Sequence, residues 1–276
     1  MLSPQPITRE NLDEYLKELG KEFRRLNGAK AEAEVVLIGG AAVIANYNFR
    51  DLTYDVDAVI ETSGSMKEAI SRVRDKHGLV HGWMNTDFMR TESYTAKLRE
   101  VSVFYRTFSN ILQIRTVAAE YLLAMKLKSG RAYKNDLSDI VGVMSEHQRR
   151  GEPIPRESIN NAFITLYGAQ ATMPETSRRL LDAVFAQENL ENLFKLIRES
   201  ELEAKNLLLE FERKYPRALN DDNTDAILAR VKRKRADAYE KTSLLGNLEE
   251  AKREVEISKL NRQNRSSKRK TEFEME

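Results

Sequence analysis

The stretch from Val35 to Glu61 constrains the fold more than any other part of the sequence. It opens with Val35-Val36-Leu37-Ile38, an apolar and mostly β-branched run that is typical of a buried strand. Gly39 and Gly40 follow at once, and glycine allows a sharp turn and the close approach of another backbone or a phosphate. Residues 41–47 are good helix formers. The pattern predicts a strand, a glycine turn and a helix N-terminus whose free N–H groups favour anions.

Two aspartates lie close together in the second half of this stretch. Asp55 and Asp57 flank Val56 and lead into an apolar run. On a strand, residues two apart point to the same face, with Cα atoms roughly 6.5–7 Å apart. Two carboxylates on one face repel each other and lose hydration unless a cation lies between them. Because Mg²⁺ is usually bound by one or two carboxylates together with substrate phosphates, the stretch predicts the minimum set for metal-assisted nucleotidyl or phosphoryl transfer.

This order of motifs resembles the nucleotidyltransferase superfamily, which has the polymerase-β-like fold. Members carry Gly-Gly or Gly-Ser and, further along, Asp-x-Asp or Asp-x-Glu on a strand. Many also have Arg-x-Thr-x-Asp before the acids, and Arg50, Thr53 and Asp55 stand in that order with one extra residue after the arginine. The resemblance implies nucleotide binding by Gly39, Gly40 and Thr53, and catalysis with metal binding by Asp55 and Asp57.

A second segment, Glu120 to Ile140, resembles part of the AbiEii-type and MenA-like nucleotidyltransferases. Those proteins read roughly Ala-x-Lys, a few residues, Arg, then Lys-Asp with a second Asp three residues on. The matching residues are Lys126, Arg131, Asp136 and Asp139, with Asn135 inserted between Lys134 and Asp136. The resemblance implies that Lys126 and Arg131 contact the triphosphate, and that Asp136 or Asp139 acts as a base or completes the site.

Each of these residues also has an ordinary structural interpretation. A Gly-Gly turn is common, and an aspartate at the start of a strand can cap a turn. Lys126 shares an edge with an apolar helix face, where most lysines lay their stem on the core and reach water. Asp136 and Asp139 can cap a helix or stabilise its first turn. The two motifs in the expected order favour the functional interpretation.

The family often places a third carboxylate on a later strand. Val101–Tyr105 and 111–114 are predicted to form a hairpin across a turn at 107–110. Gln113 lies on the most plausible strand for that carboxylate, and it is not an acid. Either two aspartates suffice or the third acid comes from elsewhere.

Composition excludes several kinds of chemistry. The 276 residues include no cysteine, which excludes disulfides, thiolate zinc sites and cysteine nucleophiles, and the three histidines are too scattered for a convincing zinc site. No apolar run approaches the ~20 residues of a membrane span, and the first residues lack a signal-peptide pattern. We therefore expect a cytoplasmic protein with no membrane partner.

The chain is predicted to be an α+β protein. We expect a small mixed β-sheet nucleotidyltransferase core with flanking helices, then an α-helical C-terminal domain and a charged helical extension with a basic tail. The predicted boundaries are 1–140, 141–219 and 220–276. A short strand at Leu79-Val80 and a core or edge position for Trp83 are also expected, with base stacking by Trp83 as the minor alternative.

Basic residues crowd the last part of the chain. They begin with Arg230, Lys232, Arg233, Lys234 and Arg235, and continue after a charged helix predicted at about 244–260. Such runs are solvated or disordered surfaces, or they bind phosphate backbones through counterion release. Binding of a protein partner or self-association through the charged helix is a further alternative.

The resemblance implies a Mg²⁺-dependent enzyme that transfers a nucleotide from an NTP to RNA, with the acceptor end of tRNA as the expected substrate. It also implies the toxin of a toxin–antitoxin or phage-defence system, with a cognate antitoxin protein. One alternative is a nucleotidyltransferase that modifies a protein hydroxyl, as in AMPylation. The other is a catalytically inactive module that binds nucleotide or RNA.

Overall fold

A computed structural model of the protein describes residues 5–60, 63–220 and 223–235. Five strands form one mixed sheet in the order β5-β4-β2-β7-β6, and two further strands form a small antiparallel pair, β1-β3. The strands are β1 (Ile7–Thr8), β2 (Ala33–Leu37), β3 (Leu52–Thr53), β4 (Val56–Ile60), β5 (Met84–Asn85), β6 (Ser102–Phe108) and β7 (Leu112–Val117).

The central strand β2 organises this sheet. It pairs antiparallel with β4, with Leu37 opposite Ala58, and parallel with β7, with Leu37 opposite Thr116. Side chains alternate between the two faces of a strand. Val35 and Leu37 accordingly join one buried cluster, and Val36 joins a second. The apolar run predicted as a buried strand is therefore covered on both faces.

Helices cover both faces of the sheet. One cluster contains buried side chains of α1, α2 and α3, and the other contains those of α4 to α7 together with part of α2. The helices are α1 (Arg9–Asn27), α2 (Gly39–Asn46), α3 (Gly64–His77), α4 (Ala119–Ser129), α5 (Asp136–Arg149), α6 (Arg156–Tyr167), α7 (Glu175–Ala186), α8 (Glu191–Lys214) and a last helix, α9, at 224–235. The predicted α+β class is confirmed.

Local sequence signals set several element boundaries. The Thr8 hydroxyl accepts from the Asn11 N–H and the Asn11 side chain accepts from the Thr8 N–H, which forms a capping box at the start of α1. Gly28 caps the other end of that helix. The predicted β6–β7 hairpin is also confirmed, and Ser109 and Asn110 adopt positive φ at its turn.

One local expectation was wrong and another was confirmed. Leu79-Val80 is not a strand, and the short strand β5 forms later and pairs parallel with β4. Trp83 has the core position that was expected. It is 1% exposed and its indole N–H donates to the carbonyl of Ile70 at 3.0 Å, so its ring is not available for base stacking, the minor alternative. The wrong strand assignment arose because a two-residue apolar pair carries no periodicity.

The described residues divide into two compact units, with the division between Lys205 and Asn206. The predicted domain boundaries at residues 140 and 219 stay predictions. The predicted charged helix at about 244–260 and the basic residues after it lie outside the described residues. In the part of the chain that is described, no helix is long and apolar enough to cross a membrane.

Candidate active site

The diglycine turn joins the end of β2 to the start of α2. Ile38 is extended and its N–H donates to the Asp57 carbonyl at 3.0 Å, so the turn is tied to β4. Gly39 has φ +55°, a region that L side chains rarely adopt. A Cβ on Gly39 would lie 3.3 Å from Asp57 Oδ2. The turn is therefore in direct contact with one of the predicted catalytic carboxylates.

The side chains of Arg50 and Thr53 lie close to Gly40. A Cβ at this position would lie 2.8 Å from Arg50 Nη2 and 2.8 Å from Thr53 Oγ1. The guanidinium and the hydroxyl thus pack directly against the backbone at the helix start. Among the described residues no side chain caps α2, so its first N–H groups are left for water or an anion.

The two aspartates differ in their surroundings. Asp55 precedes β4 and is exposed, whereas Asp57 lies on β4 and is partly buried. Burial, and then the neighbouring Asp55 carboxylate, raise the pKa of Asp57 to about 6. A carboxylate in such a position is stabilised by any cation that binds beside it. Lys134, Arg131 and Lys126 supply part of this stabilisation at longer range.

A buried network of charged side chains lies beside the turn. Lys126 on α4 reaches Asp139 at 2.8 Å and Asp136 at 3.1 Å, both in the first turn of α5. Arg131 and Ser129 each reach Asp136 Oδ2 at 2.8 Å. Because the segment 130–135 is short, the end of α4 and the start of α5 are held side by side.

Arg50 connects this network to the diglycine turn. Its Nη1 donates to Asp139 Oδ2 at 2.6 Å, while its Nη2 lies against Gly40. All nine residues that the two motifs predicted therefore belong to one connected region. These residues are Gly39, Gly40, Thr53, Asp55, Asp57, Lys126, Arg131, Asp136 and Asp139.

The ion pairs determine the charge states within the network. Burial alone lowers the pKa of Lys126, but Asp139 and then Asp136 raise it above its ordinary value. Burial alone raises the pKa of Asp136, but Lys126 and Arg131 hold it well below its usual range. Lys126 is only 6% exposed, so the alternative interpretation, in which its ammonium reaches water, was wrong.

Gln113 does not lie where a third carboxylate is needed. It pairs with Glu34 at the opposite end of β2 from the diglycine turn. Continuing the register past Leu37 puts Val117, and not Gln113, at the level of Asp57. The error arose because hairpin prediction does not fix which end of β7 lies next to the turn. Neither Val117 nor Thr116 is acidic.

Asp55 and Asp57 are the best candidates for holding a metal ion. Within residues 5–60, 63–220 and 223–235, no group of three or more His, Cys, Asp or Glu side chains could hold one. Two carboxylates suit Mg²⁺, which keeps waters and uses substrate phosphates as its other ligands. The raised pKa of Asp57 and the open backbone at Gly39 fit a divalent cation and a phosphate at this place.

This cluster lies entirely inside one region of family similarity. Residues 14–145 match the family model "Nucleotidyltransferase of unknown function (DUF6036)". The match covers a little under half of the chain and includes both motifs. It supports the nucleotidyltransferase superfamily for this segment, and it carries no information on the toxin type. No curated protein and no solved structure matched the chain.

Two residues of the matched segment had no assigned role in the sequence. Arg50 was part of the motif before the acids, and the structure pairs it with Asp139. Lys134 is exposed and is the first of the cations that lower the pKa of Asp57. The extra residue after Arg50 weakened the first signal, and only the fold brings Lys134 near Asp57.

Proposed function

We propose that the chain is a Mg²⁺-dependent nucleotidyltransferase that transfers a nucleotide from an NTP to RNA. The observation that carries this proposal is the contact between the diglycine turn and Asp57, where a Cβ on Gly39 would lie 3.3 Å from Asp57 Oδ2. A backbone that can receive phosphates is thus adjacent to a carboxylate that can hold their counterion. The match of residues 14–145 to a nucleotidyltransferase family supports the same reaction.

The residues of the chain then have distinct roles. Gly39 and Gly40 present N–H groups to the phosphates, and Thr53 lies against the same turn. Asp55 and Asp57 would hold Mg²⁺, which neutralises phosphate charge and makes the phosphorus more electrophilic when bound. The acceptor hydroxyl displaces pyrophosphate from the α-phosphorus, so that one P–O bond forms, one breaks and a proton is released.

The cations divide into two groups by exposure. Lys134 is exposed and the Arg131 side chain is 30% exposed, so both can approach the triphosphate. Lys126 is buried between two aspartates, and we propose that it acts indirectly, by holding Asp136 and Asp139 in place. The ion pairs of Asp136 with Lys126 and Arg131 also make it a poor general base, because they hold its pKa well below the usual range.

Support for RNA as the acceptor comes from the second unit. The helix at 224–235 carries Arg230, Lys232, Arg233, Lys234 and Arg235, of which all but Lys232 are exposed. Clustered cations of this kind bind phosphate backbones and release counterions. The resemblance to MenA-like proteins favours the acceptor end of tRNA among RNA substrates.

The same resemblance supports a role as the toxin of a toxin–antitoxin or phage-defence pair, neutralised by a cognate protein. Induced expression of the wild-type chain should then arrest growth, and Asp57→Asn should not. Equal growth of the strains that express wild type and Asp57→Asn, at equal protein levels, would contradict this role. It would leave the enzymatic proposal unaffected.

A labelling experiment tests the enzymatic proposal. The full chain is incubated with each α-³²P-labelled NTP, Mg²⁺, and either total tRNA or total cell protein. Label in tRNA supports the proposal, and its position at the acceptor end is read by nuclease digestion. Label in protein alone would favour transfer to a protein hydroxyl, as in AMPylation. No label with any acceptor would favour an inactive binding module and contradict the proposal.

A further inference from the structure

Glu201 on α8 caps the start of α5 across the fold. Its Oε1 accepts the N–H of Leu137 at 2.8 Å and the N–H of Ser138 at 3.2 Å, and the side chain is buried. Asn135, the N-cap residue of α5, makes no side-chain capping hydrogen bond. The donors that a local cap normally satisfies are therefore satisfied by a residue 63 positions after Ser138.

Burial of the Glu201 carboxylate destabilises the fold. Glu201 is 4% exposed, and its Oε2 has no hydrogen-bond partner among the described residues. Burial raises the pKa of Glu201 to about 7, and the nearby Asp139 carboxylate contributes to the rise. A glutamine would accept the same N–H groups without burying a charge.

The two N–H groups lie between the acids of the charged network. Leu137 and Ser138 are flanked by Asp136 and Asp139, which pair with Arg131, Lys126 and Arg50. A shift of the first turn of α5 would move both carboxylates together. It would therefore move the guanidinium groups of Arg131, which lies near Asp57, and of Arg50, which lies against Gly40.

A second contact from the same face of α8 supports the segment that carries Phe49 and Arg50. Arg198, one turn before Glu201, donates to the carbonyl of Phe49 at 3.4 Å. The Phe49 ring packs against Gly142 of α5 so closely that a Cβ there would lie 2.4 Å from it. Phe49 directly precedes Arg50, so α8 contacts both segments that meet in the Arg50–Asp139 ion pair.

We propose that Glu201 is a positioning residue for NTP binding, which fixes the first turn of α5 so that Arg131 and Arg50 meet the triphosphate. This inference rests on the proposed function, because it concerns the same nucleotide site. It assigns a role in that site to α8, which lies outside the matched family region of residues 14–145.

Steady-state transfer kinetics with tRNA and the preferred NTP test this role. Glu201→Ala removes the acceptor and should raise the KM for NTP about 10-fold or more, as loss of an orienting partner does elsewhere. Glu201→Gln keeps an acceptor for the two N–H groups and should restore KM to within about threefold. The matched control is Glu203→Ala, which removes an exposed glutamate from the same helix and should leave KM unchanged.

KM separates positioning from a merely structural role. A loss of folded protein lowers the apparent kcat and leaves KM unchanged. Should Glu201→Ala fail to fold, Glu201→Asp decides, because it withdraws the carboxylate by one methylene and should also raise KM.

An unchanged KM in the folded Ala or Asp variant would overturn the inference and leave the proposed function intact. A wild-type chain without transfer activity would overturn the proposed function, and the inference with it.

Discussion

The ammonium of Lys126 lies 2.8 Å from a carboxylate oxygen of Asp139, and both side chains are more than nine-tenths buried. The same carboxylate oxygen accepts from Arg50 at 2.6 Å. Two segments that are distant in sequence, the loop after α2 and the start of α5, are therefore joined through one buried charge.

Lys126→Met should destabilise the protein by about 3–5 kcal/mol, because it leaves Asp136 and Asp139 buried without their shared cation. Asp139→Asn should also destabilise it, since Lys126 and Arg50 then lose a charged partner. The double variant Lys126→Met/Asp139→Asn should lose less than the sum of the two single variants. Urea unfolding of all four proteins measures this coupling, and strictly additive losses would contradict the ion pair.

Gly40→Ala should damage both folding and transfer. The new Cβ would lie 2.8 Å from Arg50 Nη2 and from Thr53 Oγ1, so both side chains must move. The expected loss of stability is about 1–3 kcal/mol. Gly64→Ala is the matched control, because a Cβ at Gly64 on α3 meets nothing within 4 Å. Thermal unfolding that ranks the two variants equally would contradict the close packing at Gly40.

The stability of the protein should depend on pH through Glu201. Its pKa is about 7 when folded against an ordinary value of 4.5, so the folded state binds more protons between these values. Proton binding by Glu201 therefore stabilises the folded state. This stabilisation is fully present below pH 4.5 and is lost as the pH rises through 7. Over this pH range the free energy of unfolding of wild type should fall by roughly 3 kcal/mol relative to that of Glu201→Gln, because glutamine does not titrate.

Urea unfolding of wild type and Glu201→Gln from pH 5 to pH 8 measures this difference. Wild type should weaken relative to the variant across that range. A difference between the two proteins that stays constant with pH would show that Glu201 does not titrate there.

RNA binding should depend on the basic residues of α9. Arg233→Ala/Lys234→Ala removes two exposed cations. If both contact RNA phosphates, the negative slope of log K against log salt should become less steep by about 1.4. Arg179→Ala removes an exposed cation of α7 instead and should leave the slope unchanged. Fluorescence anisotropy at several salt concentrations gives both slopes, and equal slopes for wild type and the double variant would argue against this surface.

Much of the core was predictable because its signals are local. The apolar run before Gly39 dictates a buried strand, and Thr8 with Gly28 sets the ends of α1. The order of the two motifs also predicted which residues would gather. Such features depend on a few neighbouring residues, so they can be recognised in the sequence alone.

The remaining features depend on contacts between distant residues. Sequence periodicity placed Lys126 at the edge of a helix, but its burial follows from the two aspartates that α5 brings to it. Gln113 was expected near the site because strand order and register were unknown. Glu201 had no signal at all, since it caps a helix that begins 65 residues earlier and no local motif records such a contact.

The most direct test of the catalytic centre is transfer by Asp57→Asn. This variant keeps the shape of Asp57 but removes its charge, and should lower nucleotide transfer by at least about 100-fold. Its stability at neutral pH should equal or exceed that of wild type, because the repulsion from Asp55 is relieved. Asp75→Asn, at an exposed aspartate of α3, should transfer at the wild-type rate. A folded Asp57→Asn variant that transfers label within a few-fold of an active wild type would contradict the proposed site.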